Sequence, residues 1–210
     1  MSVVSFRDLV LEKIKCVLPR VVELCYGSGC TNYYLGNGKD GWVFRMFNPD
    51  DVFDRSLDRY AVKIWNKSFR YRVREIEIHR HVADSASSRF SVPSIVHVDH
   101  DLGCFVMDRV FGETAFRTFV RRKLRMNVSM HNDVMSAFAE LNKCGVHHND
   151  PHLGNFMFTD LVFVSAGSDV IEDAVIWIID FGRSNLIAFS DDRPDLLRYL
   201  REDQYVATAP

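Results

Sequence analysis

In the second half of the chain, two carboxylates and an amide stand at spacings that suit metal-assisted phosphoryl transfer. Asp150 and Asn155 bracket the run His148-Asn149-Asp150-Pro151-His152-Leu153-Gly154-Asn155, and Asp180 stands directly before Phe181-Gly182, after the apolar stretch Ala174 to Ile179. A carboxylate can orient an attacking hydroxyl and take its proton, whereas an amide oxygen and a second carboxylate are hard donors of the kind Mg2+ prefers. On this reading Asp150 is the catalytic base, and Asn155 and Asp180 are metal ligands. Two other readings of the loop stand beside it: a polar loop without chemistry, and a transition-metal site made of His148, Asp150 and His152.

A cation and a glycine-rich loop lie upstream. Lys63 sits in Tyr60-Ala61-Val62-Lys63-Ile64-Trp65, where strand alternation points it away from the face used by Val62 and Ile64. The segment Arg74-Glu75-Ile76-Glu77-Ile78 offers it a carboxylate, Glu75 first and Glu77 as the fallback. Gly36, Gly38, Gly41 and Val43 form a G-x-G-x-x-G-x-V pattern whose bare backbone can approach phosphates. Taken alone, the pattern reads first as an Asn37-Gly38 hairpin turn, and the downstream motifs turn the reading toward a phosphate loop. A rival loop at Gly27-Ser28-Gly29, followed by Asn32, comes after the strand-like VVELCY; the loop at 36 to 41 is preferred for its nearness to Lys63.

The elements that must position these groups follow from hydrophobic spacing. Phe6, Leu9, Val10, Ile14 and Val17 predict an amphipathic helix closed by Pro19. Between 20 and 65, VVELCY, NYYLG, WVFRMF and YAVKIW predict an antiparallel sheet. A charged helix is expected over about 68 to 83, then strands in VPSIVHVDHD and GCFVMDRV, and helix around 113 to 145 that ends at Gly145. Within it, Met130, Val134, Phe138 and Leu141 are core positions. Strands in FMF, LVFV and AVIWIID and a last helix in PDLLRYLRED complete the chain, an α+β pattern with its natural boundary near Arg109 to Gly112.

Composition narrows the class. With 26 basic and 28 acidic residues the formal charge is −2, which gives no whole-molecule reason to expect nucleic acid or an acidic membrane as partner. The five cysteines are scattered without a Cys-x-x-Cys pair, so neither a disulfide framework nor a zinc site is expected, and a reducing, cytoplasmic setting fits. Neither a membrane span nor a signal peptide is expected, though export by a signal-less route stays compatible.

Taken together, the glycine loop, AVKIW, the helix glutamate, Phe105-Val106-Met107-Asp108-Arg109-Val110, His148 to Asn155 and Asp180-Phe181-Gly182 resemble the protein-kinase-like superfamily. The resemblance implies one bilobal domain over 1–210, with a β-rich N-lobe over about 20–110, a truncated, mainly helical C-lobe over about 111–210, and ATP between the lobes. It implies Met107 as gatekeeper, adenine held by backbone groups around Asp108 and Val110, and Mg2+ as cofactor. Pro151-His152 replaces the Leu-Lys of ordinary protein kinases and resembles the atypical branches: lipopolysaccharide-core kinases, the RIO, Bud32 and UbiB-like groups and aminoglycoside phosphotransferases. His152 then stands in for the loop lysine. Only 28 residues follow Gly182, without Ala-Pro-Glu, so no usual activation segment is expected, and Asp191 to Leu197 resembles a short acidic buttressing helix.

The expected activity is transfer of the γ-phosphate of Mg-ATP to serine or threonine of a protein. A small-molecule or glycan kinase is the main alternative, and a nucleotide-binding pseudokinase a further one. Arg117, Arg121, Arg122, Lys123 and Arg125, interleaved with Phe116, Phe119, Val120 and Leu124, read either as a solvated helix face or as a surface that recruits an acidic protein or phosphorylated glycan.

Overall fold

The computed structural model describes residues 5–27, 31–38, 40–66, 69–85, 87–163 and 170–186. Contacts divide the chain into two compact units, Met1–Val73 with Ser94–Arg109 and Arg74–Pro93 with Val110–Pro210.

The first unit opens with α1 (Phe6–Tyr26), started by a capping box in which Ser5 Oγ accepts from the Asp8 N–H and the Asp8 carboxylate accepts from the Ser5 N–H. Pro19 does not close this helix, and 21–26 is not a strand. Val10, Ile14, Val17, Leu18, Val21 and Val22 form one buried stripe that runs straight through the proline. A mid-helix proline costs about 3 kcal/mol, but each buried aliphatic side chain returns roughly 1.5–3 kcal/mol, so packing overrides the local signal. The rival glycine loop therefore follows a helix, with Gly27 as its C-cap.

The stripe covers one face of a five-stranded antiparallel sheet. Its strands are β1 (Tyr34–Gly38), β2 (Gly41–Arg45), β3 (Tyr60–Trp65) and, after α2 (Phe69–Asp84), β4 (Ile95–Asp99) and β5 (Cys104–Asp108), in the order β1-β2-β3-β5-β4. Phe44, Val62, Ile64, Cys104 and Val106 share a buried core with the α1 stripe, and Trp42 meets Tyr26 edge-on with ring centroids 6.2 Å apart. Gly38 is the register partner of Gly41 and Asn37 that of Trp42, so Asn37-Gly38 belongs to the strand pairing and is not the hairpin turn.

In the second unit, Ile78 and Val82 of α2 join Phe90 and the buried face of α3 (Val128–Lys143) in a separate core. The helical stretch expected around 113 to 145 is helical from 128 on but interrupted before that. The chain forms β6 (Glu113–Thr114), a π-helical turn (Phe116–Arg121) and β7 (Arg125–Met126) before α3 begins. Gly112 explains the first break: a Cβ there would lie 2.2 Å from the carbonyl oxygen of Phe158, so the chain must run tight against β9 (Phe156–Phe163). Met130, Val134, Phe138 and Leu141 are buried on α3 as expected, and Gly145 follows its end at φ +76°. After β8 (Val146–His147), FMF and LVFV prove to be one strand, β9, paired with β10 (Val170–Ile178) in a sheet ordered β6-β9-β10-β7. β11 (Asn185–Leu186) pairs back onto β8. The helix expected in PDLLRYLRED and the acidic segment Asp191 to Leu197 lie outside the described residues. Among the described residues no helix is long and apolar enough to cross a membrane.

Two glycines of the same loop are held for different reasons. A Cβ on Gly41 would fall 2.3 Å from the Ile64 carbonyl oxygen, whereas one on Gly36 meets nothing within 4 Å. Gly41→Ala is expected to lose about 1–3 kcal/mol of stability in urea unfolding, while Gly36→Ala shifts the midpoint little.

Candidate active site

In the second unit, the segments carrying Asp150, Asn155 and Asp180 are tied into one hydrogen-bonded turn. The Ile179 N–H donates to the Asn155 carbonyl at 2.9 Å, and His148 Nε2 donates to the Ile179 carbonyl at 3.0 Å. Asp180, the next residue, takes the left-handed conformation at φ +61°, and its Oδ1 accepts from the Gly182 N–H. Inside the loop, the His152 N–H donates to the Asp150 carbonyl and the Asn155 N–H to the His152 carbonyl, both at 2.8 Å. Asn149, also left-handed at φ +58°, donates through Nδ2 to the Arg183 carbonyl. Antiparallel pairing of β8 with β11 closes the turn from outside.

The Asp150 carboxylate stands between two cation-forming side chains. Arg183 Nη1 is 3.6 Å from Oδ1 and His152 Nε2 is 3.7 Å from Oδ2. His152 Nδ1 accepts the Gly154 N–H at 2.9 Å, which leaves Nε2–H facing Asp150 in the neutral ring. Arg183 escaped the sequence reading; its one signal is an arginine directly after Asp-Phe-Gly.

The Asn155 amide is fixed in orientation by the loop. Its Nδ2 donates to the Asp150 carbonyl at 2.9 Å, so Oδ1 is the atom of this amide left to coordinate. An amide oxygen beside a carboxylate on the neighbouring hydrogen-bonded segment is a hard, oxygen-only pair, which fits Mg2+. The transition-metal alternative does not fit. No group of three or more His, Cys, Asp or Glu side chains able to hold a metal occurs among the described residues, and His148 is buried with Nε2 committed to a carbonyl.

Packed against the turn is a cluster of aromatic rings. The Phe181 ring lies between those of His79 and His148, with centroids at 5.2 and 5.4 Å, and His148 meets Phe138 of α3 at 6.1 Å. His79 Nε2 donates to the Pro93 carbonyl at 2.6 Å, and Arg74 donates to Asn185 Oδ1, so α2 is fastened to this unit at two heights. His79 was also missed; the available signal was its position four residues after Glu75 on one helix face. Glu75 is buried and Glu77 exposed, which favours the first of the two candidates.

The sheet register of the first unit brings four other expected residues to one face. Gly36 is opposite Val43, Val43 opposite Lys63, and Ala61 opposite Met107, so Gly36, Val43, Lys63 and Met107 all lie on the face away from α1. Lys63 is buried there. Asp108 and Arg109 donate their N–H groups to the carbonyls of Ser94 and Arg59, and at Val110 the chain returns to the second unit. Lys63 and Glu75 belong to different units.

No family model matches the chain, and no curated protein matches it. Among solved structures, the Rio2 kinase of Chaetomium thermophilum, in complex with ADP, Mg2+ and phosphoaspartate, aligns with a TM-score of 0.52 at 17% identity over 83% of this chain and 56% of that one. The Rad53 kinase domain with SCD2 aligns with a TM-score of 0.50 at 14% identity over 74% of this chain and 52% of that one. The chain thus has the α+β, protein-kinase-like fold expected from its sequence, and it spans little more than half the length of these two structures.

Burial pushes the His148 imidazole below its ordinary range, the hydrogen bond to Ile179 and the nearby carboxylates only partly offsetting it. Protonation would add an N–H at Nδ1, which is buried with no hydrogen-bond partner among the described residues. The unfolded chain, in contrast, protonates this residue from about pH 6.5 downward. Because the unfolded state then binds more protons, His148 contributes stability that is complete above that pH and is lost as pH falls through it. In urea titrations from pH 7.5 to 5, His148→Asn is expected to flatten the decline by up to about 1.4 kcal/mol per pH unit.

Proposed function

We propose that the protein transfers the γ-phosphate of Mg-ATP to a hydroxyl, and that the acceptor is a serine or threonine of a protein. The observation that carries this reading is the single turn in which Ile179 ties the Asn155 and Asp180 segments together while Asn155 Nδ2 ties in Asp150.

In this assignment an Asp150 carboxylate oxygen receives the acceptor's hydroxyl proton, with the Arg183 guanidinium standing 3.6 Å from that carboxylate. Asn155 Oδ1 and the Asp180 carboxylate would hold Mg2+, which when bound supplies charge neutralisation on the phosphate oxygens. On the sheet face away from α1, Lys63 would contact the nucleotide phosphates, with Gly36, Gly38 and Gly41 supplying backbone at the β1–β2 hairpin and Val43 packing on the base. Glu75 is assigned to orient Lys63, and Met107 with backbone groups around Asp108 and Val110 to hold adenine.

Exposure supports a protein acceptor. The Asp150, His152 and Arg183 side chains retain 21, 44 and 36% of their surface, so a hydroxyl presented on a large partner can reach the base. Between Val110 and α3 the described chain forms only two short strands and the π-helical turn, with no helical hairpin to fence off a small molecule.

Labelled ATP with Mg2+ and a cell lysate tests the proposal. Wild type is expected to label proteins on serine and threonine, and Asp150→Asn to reduce the rate roughly 10²–10⁴-fold with nucleotide affinity retained. Transfer to small molecules alone would replace the acceptor class, and nucleotide binding without transfer would leave a binding role.

A further inference from the structure

The proposed chemistry makes no use of the charge on the π-helical turn, although that turn is built onto the catalytic loop. The Phe116 N–H donates to the carbonyl of Leu153 at 2.7 Å, and Leu153 lies between Asp150 and Asn155. From this attachment and the charge it carries, we propose that Arg117, Arg121, Arg122 and Lys123 form a docking surface for an acidic segment of the protein substrate. The proposal rests on the protein-kinase reading above.

The fold decides which side chains of this stretch face water. Thr118 and Phe119 are buried, with Phe119 edge-on to Phe158 at 5.3 Å, whereas residues 116, 117, 121, 122 and 123 are exposed. The wide turn is closed by the Arg122 N–H donating to the Arg117 carbonyl, the i to i−5 bond of a π-helix, a form often found at functional sites. Directly after it, Lys123 stands at φ +57°. A side chain with a Cβ is rare in that conformation, which costs roughly 1–2 kcal/mol and ends the helical turn at this residue.

Charge balance then singles out the partner. Among the described residues these four cations meet one carboxylate: Glu113 binds Arg122 Nη2 at 2.6 Å and lies 3.5 Å from Arg117 Nε. Arg121 lies over the Phe116 ring at 5.8 Å, and Lys123 has no anionic partner among the described residues. The surface is therefore strongly positive in a molecule whose formal charge is −2. Phe116, 43% exposed beneath Arg121, sets apolar surface among the cations. A short peptide offering carboxylates beside an apolar side chain matches both features. Nucleic acid matches less well, since its affinity grows with the number of phosphates neutralised and the patch spans one turn.

The test uses the full chain and two peptides with the same acceptor serine, one extended by a run of glutamates. Wild type is expected to show a KM about tenfold lower for the acidic peptide at low salt, a gap that closes as salt rises. Arg121→Glu combined with Lys123→Glu should abolish that difference while leaving kcat and the KM of the plain peptide unchanged. Lys143→Glu, an exposed charge reversal on α3, should preserve it. Equal KM values in wild type, or equal shifts for both peptides in the double variant, would overturn the docking surface.

Fluorescence anisotropy of a labelled Glu-rich peptide separates this outcome from failure of the kinase reading. Without transfer to either peptide, binding that is lost only in the double variant would still support docking, and unchanged binding would refute it. An RNA oligonucleotide of equal charge that binds more tightly than the peptide would also refute it.

Discussion

Ile179 is gripped at both ends of its peptide unit, and the geometry of the candidate site depends on that grip. Its N–H is taken by the Asn155 carbonyl and its carbonyl by His148 Nε2. Buried polar groups without partners are costly, so these bonds leave the strand leading to Asp180 little freedom beside the loop that holds Asp150 and Asn155. His148 serves the clamp from a site packed against Phe138 and Phe181, and Phe181 packs on His79. The helix that bears Glu75 is thereby part of the same core.

The first unit is organised by register. Once Val43 faces Lys63 and Ala61 faces Met107, every second residue is committed to α1 and the others to the opposite face. Gly41 permits the approach of β2 to β3 that this register requires. A lysine in a fully buried strand is tolerated only where its charge has partners, which marks that face as a polar site within a sheet that is otherwise apolar at β3.

Much of this was legible in the residue order, and the failures have physical causes. YAVKIW, the charged helix after it and the paired strands before Arg109 showed the periodicities that the structure displays, and the Asp150 to Asn155 spacing reported a real turn. Pro19 misled because a local propensity was weighed without the stripe that continues to Val22. The helix expected from 113 failed because the close approach of Gly112 to Phe158 is a tertiary fact invisible in local sequence. Arg183 and His79 carry only slight spacing signals, and their contacts with Asp150 and Phe181 arise from tertiary packing.

The most direct measurement is paramagnetic broadening of backbone amide signals on adding Mn2+ with ADP. The account predicts that broadening centres on the residues around Asn155 and Asp180 and disappears in Asp180→Asn. Broadening centred elsewhere, or unchanged in that variant, would contradict it.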